Sequence, residues 1–260
     1  MSGVGSGERI LALLGLFSED RPEWTPEEMM TETGHPRPTL YRYLKTLKEA
    51  GLVASLSGAT YTLGPRVVEL DFLARRSDPL IDAGAPMLRS LCDAWPCTAL
   101  LVRWYGNRLL CVDSECSADN PKSSYPRGRP MPLARGAISR AIMAHLPRRQ
   151  MQAKIAENLD QLSALGLGET PEAVAESFRA VRRGGCAIAY GEVTPGVVGV
   201  AAPVFDAGQS PVAALGLTLS ESAASADALS AISEAVWTKA ERISAQLAER
   251  GAPQPERTRA

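Results

Sequence analysis

The chain lacks the features that mark several large functional classes. No apolar run in its 260 residues reaches the roughly 18 that a spanning helix needs, which argues against a membrane segment or a membrane partner. The opening MSGVGSGERI has no basic stretch followed by an apolar one, so export is not expected and the cytoplasm is the expected location. Histidine is scarce, with His35 and His145 the only two. There is no Gly-x-Ser-x-Gly elbow, and Cys97 or Cys186 would need an imidazole base to act as a nucleophile. His35 falls in a turn between helices and His145 near a helix end, so an enzyme is not expected. No glycine pattern matches a nucleotide-binding fingerprint, and no cofactor is expected.

The five cysteines are an odd number with no spacing typical of a disulfide framework. Cys92/Cys97 and Cys111/Cys116 each read C-x4-C, which makes a four-sulfur zinc site conceivable. The gaps are wider than the usual C-x2-C, and three of the four fall in apolar strand or helix patterns. Buried, inert thiols are the expectation, with no metal. Charge of one sign is also missing: 28 Lys and Arg face 29 Asp and Glu, for a net charge of −1. Residues 1–76 hold nine cations against ten acids. Between His35 and Lys48, however, stand Arg37, Arg42, Lys45 and Lys48 with no acid, and local patches matter more than net charge for docking on phosphates.

Ile10, Leu13, Leu14 and Phe17 fall at helical spacing and predict a first helix over 8–18. Thr25-Pro26-Glu27-Glu28 is a capping signature, with Thr at the N-cap, Pro at N1 and Glu at N3. It opens a short helix that ends at Gly34. A third helix is predicted from Pro38 to Gly51. Its Leu40, Leu44 and Leu47 face the core, Thr39, Arg42, Tyr43 and Thr46 make a second face, and Tyr41, Lys45 and Lys48 a third. Two apolar-rich segments around Ser57-Gly58 then predict a small hairpin, the wing. Helix, helix, turn, helix, hairpin is a winged helix-turn-helix. The third helix suits a major groove, with Arg42 pairing a guanine edge and Lys45 and Lys48 taking phosphates.

Residues 65–78 read as a linker helix. Beyond Asp78-Pro79 the pattern predicts a long helix (80–94), a hairpin around Gly106-Asn107, and a loop or ragged edge strand at 117–132. Helices at about 135–146, 148–165 and 171–183 follow, then three strands (186–193, 196–205, 212–220) and a final helix (225–250). This order describes an α+β sheet with helices packed on it, not a βαβ repeat. The expected organisation is a DNA-binding domain at 6–64, the linker at 65–78, an effector domain at 79–251 and a disordered tail at 252–260.

The segments ERILALLGLF, HPRPTLYRYLKTLKEAGLV, YTLGPRVVEL, PMPLARGAISRAIMAHLP, RRGGCAIAYGEVTPGVVGVAAPVFD and PVAALGLTLS resemble, in order and spacing, those of IclR-type transcriptional regulators over roughly residues 6–250. The resemblance implies a winged helix joined by the linker helix to a GAF-like α/β effector domain. It implies a homodimer or dimer of dimers, a small carboxylic or aromatic acid as effector, and a repressor or activator of catabolic operons on double-stranded DNA. The recognition helix of the family begins basic, Ser, Thr, aliphatic, His, Arg; here the order is Arg37, Pro38, Thr39, Leu40, Tyr41, Arg42. Pro38 would be a sound N1 residue but removes a hydroxyl. The wing SLSGAT carries no charge, so DNA specificity is expected to rest on residues 37–46.

Carried over by position, the effector pocket would use Leu133, Arg135, Gly136, Ala137 and Ile138 from a helix start and Ala189, Gly199, Gly216 and Thr218 from strands. A helix N-terminus offers unpaired N–H groups and a positive dipole end, so a ligand carboxylate is expected there. Relatives often carry an acid at the position of Ala189, a Cys or other side chain at Gly199 and a Ser at Gly216. Their loss here favours a larger, partly apolar ligand such as an aromatic acid, with Arg135 or Arg129 pairing its carboxylate. Either arginine could instead be a solvated charge, Gly199 and Gly216 could instead mark tight sheet packing, and Tyr190 and Trp104 could be core aromatics or pocket walls. The alternative function is a DNA-binding protein whose C-terminal domain only assembles subunits.

Overall fold

A computed structural model describes residues 5–56, 59–117 and 125–251. The tip of the wing (Ser57-Gly58), part of the 117–132 loop and the 252–260 tail lie outside the described residues. The chain divides into two compact units, one ending at Asp78 and the other starting at Pro79.

In the first unit α1 covers Ser6–Ala12 and passes into a tighter 3-10 turn at Leu13–Leu16 instead of continuing to 18. Gly15 sits in that turn, where its freedom disfavours another α turn. Helix α2 (Pro26–Thr33) opens on the Thr25 capping box: Glu28 N–H donates to Thr25 Oγ1 and Thr25 N–H donates to Glu28 Oε2 at 2.8 Å. It ends at Gly34 with φ +68°, a left-handed conformation that glycine adopts without cost. Helix α3 runs Arg37–Glu49, one residue earlier than expected at its start. Pro38 is therefore at the second helical position, where a missing N–H is equally harmless. Strands β1 (Val53–Ser55) and β2 (Tyr61–Leu63) pair Val53 with Leu63 to form the wing. Trp24 exchanges both backbone hydrogen bonds with Tyr61, which ties the chain before α2 to the wing. Leu13, Trp24, Met29, Leu40, Tyr43, Leu44, Leu47 and Val53 form the core. Helix α4 (Pro65–Arg76) buries none of its residues within this unit.

In the second unit, the described residues form a six-stranded antiparallel sheet of order β5-β4-β3-β8-β7-β6. Its strands are β3 (Thr98–Trp104), β4 (Leu109–Cys116), β5 (Pro130–Met131), β6 (Ala187–Tyr190), β7 (Val197–Phe205) and β8 (Pro211–Ser220). Because side chains alternate along a strand, each face has its own core. Ala99 and Leu101 of β3, Val198 to Val204 at every second position of β7, and Leu215, Leu217 and Leu219 of β8 meet α5 (Pro79–Ala94) and α10 (Ala226–Gly251). Leu100, Val102, Ala201 and Ala214 meet the opposite layer: α6 (Gly136–Met143), α7 (Arg148–Glu157), α8 (Leu159–Ala164) and α9 (Pro171–Gly184). The helix expected at 148–165 is broken at Asn158, whose Nδ2 donates to Lys154 O at 2.8 Å. That local side-chain bond competes with the helical ladder and pulls Asn158 to φ −126°.

The thiols follow this layering. Cys92 and Cys97 lie with sulfurs 3.8 Å apart, and burial pushes both thiols up, away from thiolate. Cys186 is pushed up to about 11 by the same cause. Cys111 is buried beneath the α6 layer, whereas Cys116 is exposed, contrary to expectation, because it ends β4. Among the described residues no three groups able to bind a metal ion converge.

Candidate nucleic-acid interface and effector site

The apolar stripe of α3 is wider than its leucines. Leu40, Tyr43, Leu44 and Leu47 fall at i, i+3, i+4 and i+7, the pattern of a core-facing helix, and all four are buried. Tyr43, expected on the DNA-facing side, is 2% exposed and packs edge-on against His35 with ring centroids 5.5 Å apart. It is a core residue. The remaining candidates do reach the surface: Arg37, Tyr41, Arg42, Lys45, Thr46 and Lys48 are exposed and Thr39 is half-buried. Arg37 stacks its guanidinium 5.5 Å from the Tyr41 ring centroid. Lys45 stands 3.8 Å from Glu49 in an exposed pair, which is too weak to hold it from a phosphate. The Thr46 hydroxyl donates back to Arg42 O at 3.1 Å, the usual habit of a helical threonine. One continuous face thus carries four cations and three hydroxyls, those of Thr39, Tyr41 and Thr46, with no acid before Glu49.

In the second unit a cavity with about 100 Å³ of free space lies between the start of α6 and the sheet. Its origin is a row of small side chains. Strand register places Ala189 opposite Gly199 and Gly199 opposite Thr218, all on the α6 face. A Cβ at Gly199 would meet Ala137 at an ordinary 3.5 Å, so the strand leaves room here instead of packing tightly. Gly216 is the opposite case. A Cβ there would come within 3.0 Å of Ile138 and 3.1 Å of Val200 O, so its glycine serves close packing and does not line the cavity.

Of the expected effector residues, Gly136, Ala137, Ile138, Ala189, Gly199 and Thr218 line the cavity, while Arg129, Leu133, Arg135 and Gly216 do not. Arg135 is exposed at the N-cap of α6, and Arg129 is engaged with Tyr125, its guanidinium 5.5 Å from the ring centroid. Tyr125 itself lines the cavity, and burial raises its hydroxyl pKa while Arg129 and Arg135 oppose that rise. The two arginines therefore belong to the neighbourhood of the rim, not to the wall. Tyr190 and Trp104 stay outside: Tyr190 is exposed, and Trp104 packs on the α6-side core.

The segment between β6 and β7 supplies what the sequence reading missed. Glu192, Val193, Thr194 and Val197 close one side of the cavity. Gly136 begins α6 at φ +83°, a left-handed conformation suited to glycine, and its N–H donates to Glu192 Oε2 at 2.9 Å. The other carboxylate oxygen is ion-paired with Arg140 Nη2, and Arg140 Nη1 donates to Ile188 O at 3.1 Å. The Arg140 and Glu192 side chains are only 11% and 10% exposed. Burial pulls the Arg140 guanidinium below its usual value and Glu192 pulls it back up. The first N–H of the helix, expected to greet a ligand carboxylate, is thus already satisfied by the protein's own. A signal was present in the sequence: Glu192 is the one charge in a segment bounded by Gly191 and Gly196, between two apolar strands.

The comparisons with known proteins agree with this anatomy. The family model described as bacterial transcriptional regulator IclR C-terminal matches residues 74–245, and the IclR helix-turn-helix domain matches residues 6–57. The HTH-type transcriptional regulator KipR of Bacillus subtilis is 26% identical over 239 residues, covering 91% of this chain and 94% of the relative. An IclR-type regulator structure from Silicibacter sp. TM1040 superposes with a TM-score of 0.78 at 25% identity, covering 94% of this chain and 96% of that one. An IclR homologue from Microbacterium hydrocarbonoxydans, crystallised with 4-hydroxybenzoate, shares the fold at a TM-score of 0.76 and 18% identity, covering 94% of this chain and 99% of that one. No helix among the described residues is long and apolar enough to cross a membrane. A helix-turn-helix with a charged outer face, followed by a helix-covered antiparallel sheet and matched to both family models, identifies the chain as a member of the IclR family of bacterial transcriptional regulators, DNA-binding proteins that are not enzymes.

Proposed function

We propose that the chain is a ligand-responsive regulator, with operator reading assigned to the unit ending at Asp78 and effector binding to the unit starting at Pro79. The cavity beneath the start of α6 carries this reading. Its 100 Å³ is smaller than a cavity of about 150 Å³ that holds benzene, so a single ring is the upper limit and enters only as the lining side chains give way. Support for a ring-sized ligand also comes from the lining, where Leu100, Met131, Ile138, Val193, Val197 and Leu219 outnumber the polar groups. The complex of the Microbacterium homologue with 4-hydroxybenzoate supports an aromatic effector in the same fold. Control of a catabolic operon follows from such a ligand class, with the protein acting in the cytoplasm where the DNA is.

In this reading α3 enters the major groove. Arg42 reads a base edge, Arg37, Thr39, Tyr41 and Thr46 flank it, and Lys45 and Lys48 contact phosphates. Assembly as a homodimer or dimer of dimers is supported by α4, which leaves Val68 71% and Phe72 59% exposed. Screening ring-containing small molecules by thermal shift tests the effector half, since a ligand bound only by the folded state raises the melting temperature. Saturable stabilisation by at least one, lost on filling the cavity with Gly199→Val, is the expected result. No stabilisation by any would leave the second unit as an assembly domain.

A further inference from the structure

We propose that Tyr43, a core residue, is also a positioning residue for DNA reading: its hydroxyl edge holds the Arg42 guanidinium in the orientation in which it meets a base. This rests on the assignment of Arg42 to a base edge above and deepens it. Tyr43 shares the buried stripe of α3 with Leu40, Leu44 and Leu47, a place that packing alone could fill with an aliphatic side chain. Its ring is 2% exposed and is braced edge-on by His35 at 5.5 Å, so its orientation is fixed by the core.

The hydroxyl is what an aliphatic residue would lack, and it has partners. Ser6 of α1 and the Arg42 side chain hydrogen-bond to it. With the charges of Arg42 and Arg9 they hold its pKa below the ordinary 10, against the opposing effect of burial. Arg42 is the exposed member of this group, its guanidinium 5.5 Å from the Tyr43 ring centroid and within reach of cation–π attraction. Neighbours one residue apart on a helix do not face each other, so the arginine must fold back along the ring to make this contact. Arg37 offers a contrast. It too lies 5.5 Å from a ring, but that ring is Tyr41, which is 38% exposed and outside the core, so the pair can shift together. A free arginine surrenders much rotamer freedom on docking to a base. One already held by a fixed ring surrenders less and binds more tightly through the same contact.

Tyr43→Phe keeps the ring, and with it the core, and removes only the hydroxyl. Anisotropy titration of the full-length protein onto an operator selected from random DNA is expected to show about fivefold weaker binding, with the first unit still folded by circular dichroism. Binding to random-sequence DNA should weaken by less than about twofold. In the Arg42→Ala background the same substitution should change operator affinity by less than about twofold, because the side chain it positions is gone. Unchanged operator affinity in a folded Tyr43→Phe protein would overturn the proposal. So would an equal loss on random-sequence DNA, the mark of a purely structural role, or a fivefold loss that persists without Arg42, the mark of a hydroxyl that contacts DNA itself. Wild-type operator affinity in Arg42→Ala would overturn the base-reading role itself, and the proposal with it.

Discussion

The two units present their chemistry in opposite ways. In the first, the candidate surface is made of side chains that point outward from one helix: a buried stripe of Leu40, Tyr43, Leu44 and Leu47 fixes α3, and the remaining positions face out. In the second, the site is made by side chains that are small or missing, Ala189, Gly199 and Thr218 in one row across three strands, and is closed by a charged pair 52 residues apart in sequence. An outward-facing surface follows from helical periodicity. A cavity follows from strand register, from what the helix above it leaves open and from long-range pairing, none of which a local pattern contains.

The largest effects should come from breaking what holds each unit together. Arg140→Ala removes one partner of a nearly buried ion pair and strands Glu192 in the cavity wall. A loss of about 3–5 kcal/mol is expected by urea unfolding. Leu44→Ala in the first unit should cost about 2–5 kcal/mol, because Leu44 is 1% exposed and its removal leaves a cavity. Separate transitions for the two units would show which one each variant unfolds.

Smaller changes separate packing from function. Gly216→Val should destabilise the second unit by about 1–3 kcal/mol, since its Cβ would press on Ile138 and the Val200 carbonyl. Gly199→Ala should stay within about 0.5 kcal/mol of wild type, because its Cβ finds ordinary contact. If both glycines cost the same, the division between packing glycine and cavity glycine fails. In the first unit, Arg42→Ala should weaken operator binding by about 1–3 kcal/mol with circular dichroism and melting unchanged. Unchanged footprints would remove Arg42 from the base-reading role.

The smallest expected effect is a pH dependence confined to the second unit. Burial, only partly opposed by the His145 Nδ1 contact with Ala141 O at 2.8 Å, lowers the His145 pKa below the ordinary 6.5. The folded state therefore binds a proton less readily than the unfolded one. Its contribution to stability is present above 6.5 and is lost as pH falls from there through the lowered folded value. Urea midpoints of wild type and His145→Gln should converge as the pH is lowered across that range. Parallel slopes would assign the dependence to another group.

Much of the fold was legible because its signals are local. Thr25 with Glu28 marked the start of α2, Gly34 its end, and the alternation from Thr98 to Trp104 marked β3. The errors also have physical causes. Tyr43 is amphipathic and was placed by its hydroxyl, while its i+3 spacing from Leu40 already put it in the apolar stripe. The Asn158 break came from a side-chain bond to Lys154 O that helical periodicity does not register. Within the site, Gly199 and Gly216 look equivalent in sequence, two glycines on neighbouring strands. What separates them is the crowding of Gly216 by Ile138 and the Val200 carbonyl, against ordinary contact with Ala137 at Gly199. Glu192 was missed because its partners Gly136 and Arg140 lie more than fifty residues away.

Coupling between the two units is the claim on which a regulator depends, and one measurement addresses it most directly. The full-length protein would be titrated onto a fluorescent operator selected from random DNA, with and without a saturating ring-containing ligand found by thermal shift, while anisotropy is followed. The account predicts a change in operator affinity of about fivefold or more, reduced to less than about twofold in Gly199→Val, whose cavity is filled. Operator affinity unmoved by a ligand that binds, or moved equally in the filled variant, would contradict it.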